Sequence, residues 1–109
     1  MPVATRVKVQ ALRRDLGSQR RVASLLGVSP AQISRWLRRG GVDPDNAEKV
    51  DALEHVMGSL LRLYDAEAAE AWLLGLNPHL GARPIDLIRA GRTSELLRAI
   101  SAERAGSYA

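Results

Sequence analysis

The chain has no cysteine and no phenylalanine, and its aromatic content rests on two tryptophans and two tyrosines. Without thiols, disulfide staples and thiolate metal centres are excluded. Strand signals are missing as well. No β-branched run alternates with polar residues over the length of a strand, while Leu, Ala and Arg dominate, so the reading is all-α. The longest uncharged run, residues 22–34, is too short to cross a bilayer. Charges begin at Arg6 with no apolar leader core, so a signal peptide is not expected and a cytoplasmic protein is. The two histidines, His55 and His79, stand far apart and in no ligand-spaced cluster, so no metal is expected. No phosphate-cradling glycine loop or nucleophile elbow occurs. The carboxylates fall at helix starts and on polar faces. The chain therefore reads as a non-enzyme with no catalytic residue and no cofactor.

What is present is an uneven charge distribution. The net charge of +4 is ordinary. Residues 1–41, however, hold nine basic groups (Arg6, Lys8, Arg13, Arg14, Arg20, Arg21, Arg35, Arg38 and Arg39) against one acid, Asp15, a balance of +8. Residues 42–109 hold seven basic groups against eleven acids, a balance of −4. The first part is suited to approach phosphates. The second would be repelled by them and suits a protein partner.

The stretch at residues 19–39 concentrates the first property. Val22, Ala23 and Leu26 form the apolar face of one short helix capped by Ser18. Gly27 marks a sharp turn that needs a positive φ. Ser29 then caps a second helix, Pro30 suits its first position, and Gln32 would complete a capping box. Ile33, Trp36 and Leu37 recur at i, i+3, i+4 and point inward. That leaves Ala31, Gln32, Ser34, Arg35, Arg38 and Arg39 outward, the small, amide and guanidinium side chains that reading base edges in a major groove requires. Gln19 and Arg20, beside the free N–H groups of the first helix, suit a phosphate. Two amphipathic helices around a glycine also occur in ordinary helical domains. The spacing nevertheless resembles the helix-turn-helix of Xre- and Cro-type repressors, with Gln19 first, Ala23 fifth, Gly27 ninth, Val28 tenth, Ile33 fifteenth and Trp36 eighteenth. The small Ala23 would let the two helices cross closely.

Around this stretch the helical pattern continues. Residues 4–15 carry Val9 and Leu12 on one face, with Leu16 beyond and Gly17 as a stop. Arg6, Arg13 and Arg14 either reach the DNA backbone or form a solvated face. Gly40-Gly41 closes the second short helix, and Asp43-Pro44 starts a long one expected to reach Leu63 or Tyr64. Its stripe of Val50, Leu53, Met57, Leu60 and Tyr64, widened by Val56, Leu61 and Leu63, serves either a second copy of the chain or burial within its own chain. Gly58 either permits a close helix contact or is merely tolerated. Asp65 starts a helix that ends at Gly75, and Pro78 holds residues 77–81 in a turn-rich loop. A short helix follows over residues 84–90, stopped by Gly91. Thr93 or Ser94 caps the last helix, with Leu96, Leu97 and Ile100 inward. The division is 1–42 for DNA binding, 43–64 for connection and dimerisation, and 65–109 for the C-terminal half.

By composition that last half is only a compact helical cap, in which Trp72 is ordinary core and Arg83, Arg89 and Arg92 are ordinary surface. The order Trp72-Leu73, Asn77-Pro78, Leu80-Gly81, Pro84, Leu87, Gly91-Arg92 and Leu96-Leu97, however, resembles the toxin-binding domain of the MbcA/ParS/Xre antitoxins. Four residues separate Trp72 from Asn77, more than the family motif usually has. The resemblance implies a type II antitoxin whose C-terminal half covers the NAD pocket of a RES-type or related ADP-ribosylating toxin. Its N-terminal half would bind its own promoter, as a homodimer. It implies Trp72, Asn77, Pro78, Leu80, Arg83, Arg92 and, in the tail, Tyr108 as toxin-binding residues. The DNA-binding set is Gln19, Arg20, Ser29, Ala31, Gln32, Ser34, Arg35, Arg38 and Arg39. The competing reading is a stand-alone repressor whose second half only dimerises or senses a ligand.

Overall fold

Serine, aspartate and glycine punctuate the chain into helices. The computed structural model describes residues 4–105, the side chain of Glu103 excepted, and within them the fold is all-α. The helices are α1 (Thr5–Leu16), α2 (Gln19–Leu26), α3 (Pro30–Arg39), α4 (Pro44–Leu60), α5 (Ala66–Leu74), α6 (Pro84–Arg89) and α7 (Thr93–Arg104). The only strand-like pairing among the described residues is one antiparallel bridge between Asn77 and Ala82. Two compact units result, Met1–His55 and Val56–Ala109, and the boundary between them falls inside α4.

In the first unit α1, α2 and α3 each pack against the other two. Their shared core is Val9, Leu12 and Leu16 from α1, Val22, Ala23, Leu25 and Leu26 from α2, and Ile33 and Trp36 from α3, all buried. Trp36 anchors α3 in this core, and truncating a buried tryptophan to alanine costs about 3–5 kcal/mol. Val50 and Leu53 on the first part of α4 are buried too. An ion pair from Lys8 of α1 to Asp51 joins these two helices.

The start of α4 follows its sequence signal. Asp43 accepts from the Asn46 backbone N–H at 3.2 Å and from the Asn46 side-chain amide at 2.8 Å. These bonds, the side-chain one foremost, hold the Asp43 carboxyl below its ordinary range. The helix ends at Leu60, short of the expected Leu63 or Tyr64. Beyond it the backbone tightens into i→i+3 bonds, from Arg62 N–H to the Ser59 carbonyl and from Leu63 N–H to the Leu60 carbonyl. Such turns commonly close a helix. Leu63 is exposed there rather than extending a buried stripe.

In the second unit α6 lies between α5 and α7, packing against each. Its core is Val56, Met57 and Leu60 from the end of α4, Ala69 and Leu73, Ile85, Leu87 and Ile88, and Leu96 and Ile100. Leu97 is only half-buried, so the inner face of α7 is narrower than its leucine pair implies. Asp65 caps α5 by accepting from Ala68 N–H at 2.8 Å. Thr93 is already the first helical residue, so Thr93 and Ser94 lie inside α7 rather than capping it from just before.

Candidate functional site

The turn between α2 and α3 is three residues long, and its geometry comes from Gly27. Gly27 has φ 75 and ψ 31, the left-handed region. With it in place, Val28 N–H reaches the Ala23 carbonyl at 3.0 Å and Gly27 N–H reaches the Ser24 carbonyl at 3.3 Å. This pair of bonds is a Schellman motif, which satisfies carbonyls that the helix end leaves open. Ser29 restarts the chain as α3, its Oγ accepting from Gln32 N–H at 3.1 Å, with Pro30 at the first helical position. Ser18 does the same for α2, accepting from Arg21 N–H at 3.2 Å. Ala23 is buried on α2, which packs against both α3 and α1. The expected capping box forms only by half. The Gln32 side-chain carbonyl turns outward to accept from Arg35 Nη1 at 2.7 Å.

With Ile33 and Trp36 inward, the opposite face of α3 is open. Ala31, Arg35, Arg38 and Arg39 are exposed, and Gln32 and Ser34 are half-buried at its edge. Arg20 is exposed in the first turn of α2, with Gln19 half-buried beside it, and Ser29 is exposed in the turn. Among the described residues no carboxylate pairs with Arg20, Arg35, Arg38 or Arg39. Of these, Arg35 gives one donor, Nη1, to Gln32 within the protein. Arg6, Arg13 and Arg14 on α1 are exposed as well, and Arg14 lies 3.2 Å from Asp15.

The second candidate surface is the loop after α5. Asn77, 9% exposed, is the one buried polar residue in the described chain. Its backbone N–H donates to the Ala82 carbonyl at 3.0 Å, and its own carbonyl accepts from Leu80 and Gly81 N–H at 3.1 and 2.9 Å. Its side-chain oxygen accepts from His79 N–H at 2.9 Å. Four bonds at one residue close a rigid loop, with Gly81 supplying the positive φ of 65 that it needs. Asn77 is thus an organiser of the loop. What the loop offers outward is Pro78 and His79, with Leu80 half-buried and Leu76, at 73% exposure, just before it. Trp72 is half-buried on α5.

Arg83 and Arg92 take a common form that sequence reasoning overlooked. Each precedes a helix and is chelated by the acid three residues on. Arg83 Nε and Nη2 donate to Asp86 at 3.0 and 2.9 Å, and Arg92 Nε and Nη2 donate to Glu95 at 3.0 and 2.9 Å. The bond from Arg83 holds the Asp86 carboxyl low, and Asp86 in turn raises Arg83. The spacing Arg-x-x-Asp and Arg-x-x-Glu was the available signal. Both arginines are exposed yet internally neutralised. Tyr108 lies outside the described residues.

Comparison with known proteins joins these two surfaces. Residues 1–44 match the model of a homeodomain-like domain. No curated protein sequence matches the chain. A chain from the crystal structure of the M. tuberculosis MbcT–MbcA toxin–antitoxin complex superposes with a TM-score of 0.78 at 26% identity, over 99% of this chain and 100% of that one. The chain is MbcA-like. The likeness takes in both the helix-turn-helix unit and the unit that carries the Asn77 loop. Among the described residues no helix is long and apolar enough to cross a membrane, and no group of three or more acidic or histidine side chains is placed to hold a metal ion.

Proposed function

We propose that this chain is the antitoxin of a type II toxin–antitoxin pair, binding its partner through the second unit and operator DNA through the first. The observation that carries the reading is the end-to-end MbcA-like fold. A likeness confined to the helix-turn-helix would favour a plain repressor. The toxin is of the NAD-consuming RES type, and the antitoxin acts by covering its active site. The residues assigned to this contact are Trp72, Pro78, Leu80, Arg83 and Arg92, with Asn77 holding the loop in shape and Tyr108 reaching from the tail. Exposed Leu76 adds apolar area at the loop's base.

On DNA, α3 enters the major groove as an Xre-type recognition helix, and Gln19 and Arg20 hold the backbone. The exposed arginines Arg20, Arg35, Arg38 and Arg39, which no carboxylate pairs with among the described residues, support this, because their positive charge faces phosphate or base. The protein acts in the cytoplasm as a homodimer and represses its own operon. Co-expression with the product of the adjacent reading frame tests the reading. Rescue of growth together with a joint elution peak on size exclusion is expected. Undiminished toxicity with separate peaks would remove the antitoxin role.

A further inference from the structure

We infer that Gln32 and Arg35 act as one reading unit, in which Gln32 aims the Arg35 guanidinium at a guanine. The inference rests on the proposed entry of α3 into the major groove. Its observation is the 2.7 Å bond from Arg35 Nη1 to Gln32 Oε1, across one turn on the open face of the helix. The two residues are three apart, so their side chains share one face. Arginine is donor only, so the oxygen of the Gln32 amide must face it and the amide orientation is set by chemistry.

Two consequences follow for base recognition. Using Nη1 for Gln32 leaves the Nε and Nη2 edge of Arg35 intact. That edge presents two parallel N–H donors, the match for guanine O6 and N7. An arginine steered by a neighbour also loses less side-chain freedom on binding than a free one. Gln32, in turn, presents its NH2 group outward. Bidentate reading of adenine needs both the amide oxygen and the amide nitrogen. With one lone pair of that oxygen engaged by Arg35, Gln32 offers its NH2 group to an acceptor on a neighbouring base, such as guanine O6 or N7, thymine O4 or adenine N7. The pair thus assigns the half-site a guanine under Arg35.

Selection from a duplex library with a randomised core, followed by affinity measurement on single-base variants, tests this with the intact chain. For the native protein a guanine preference of about 5–150-fold is expected at one position, the range of a good bidentate contact. Arg35→Ala abolishes that preference. Gln32→Ala lowers it at least threefold, although Gln32 does not touch that base. Gln32→Glu, which keeps an acceptor for Arg35, weakens overall affinity while retaining the guanine ratio. Both side chains lie on the open face, so helical content checked by circular dichroism is expected to be unchanged. A Gln32→Ala variant that alters only its own base position, with the guanine ratio intact, overturns the coupling while leaving DNA binding standing. If the native chain selects no sequence at all, the recognition-helix reading fails and this inference fails with it.

Discussion

Glycine-to-alanine substitution gives opposite signs at two positions of this chain, and the contrast can be worked from backbone geometry. Gly27 has φ 75 and closes α2 with the two Schellman bonds to Ala23 and Ser24. An alanine in this left-handed region costs about 1–2 kcal/mol from the clash of its Cβ with backbone. The stiffer unfolded chain offsets about 0.4–1 kcal/mol of that. The net loss for Gly27→Ala is about 1 kcal/mol, or a fall in Tm of about 4–8 °C for a domain of this size. Gly58 lies within α4 in ordinary helical conformation, and a Cβ built on it meets nothing within 4 Å. Gly58→Ala therefore stabilises by about 0.5–1 kcal/mol, the intrinsic helix advantage of alanine. Urea melts followed by tryptophan fluorescence read both variants, since Trp36 lies in the first unit and Trp72 in the second. An unchanged or raised stability in Gly27→Ala would refute the reasoning at Gly27. A loss at Gly58, growing with protein concentration, would place the backbone of a second copy against α4.

Three further outcomes are expected. Arg20→Ala weakens binding to all duplexes alike and reduces the salt slope of affinity by about one, measured by fluorescence anisotropy across a salt series. Asn77→Ala exposes the His79 amide to faster hydrogen exchange and weakens toxin capture. Asn77→Asp keeps the side-chain acceptor that His79 N–H uses and restores both. The Asp43 carboxyl sits below its ordinary value of 3.8, chiefly through its side-chain bond to Asn46. Its contribution to stability is therefore present above that value and is lost as pH falls through the lower folded value. Asp43→Asn should flatten the acid limb of stability below pH 3.8, as followed by far-UV circular dichroism.

Helix starts were the most legible feature of the sequence. Ser18, Ser29, Asp43 and Asp65 each make the capping bond their residue type suggests, because capping depends only on atoms within three residues. The inward residues of α3 were legible for the same local reason, a period of three and four. The end of α4 was not. Leu61, Leu63 and Tyr64 extend an apolar pattern, but periodicity cannot distinguish a leucine that will be buried from one that stays exposed. The loop role of Asn77 depends on a pairing with Ala82 across a left-handed Gly81, a non-local closure that turn residues only hint at. At the sites, the sequence pointed to Arg83 and Arg92 but not to the carboxylates that hold them. It pointed to Gln32 as a cap partner, whereas its side chain serves Arg35 on the outer face.

Hydrogen exchange, measured with an operator duplex and separately with the toxin, tests the division of labour most directly. The account predicts that duplex protects residues 18–39 and leaves the second unit unchanged, while toxin protects residues 65–104. Protection by toxin confined to α2 and α3, or by duplex across the Asn77 loop, would contradict it.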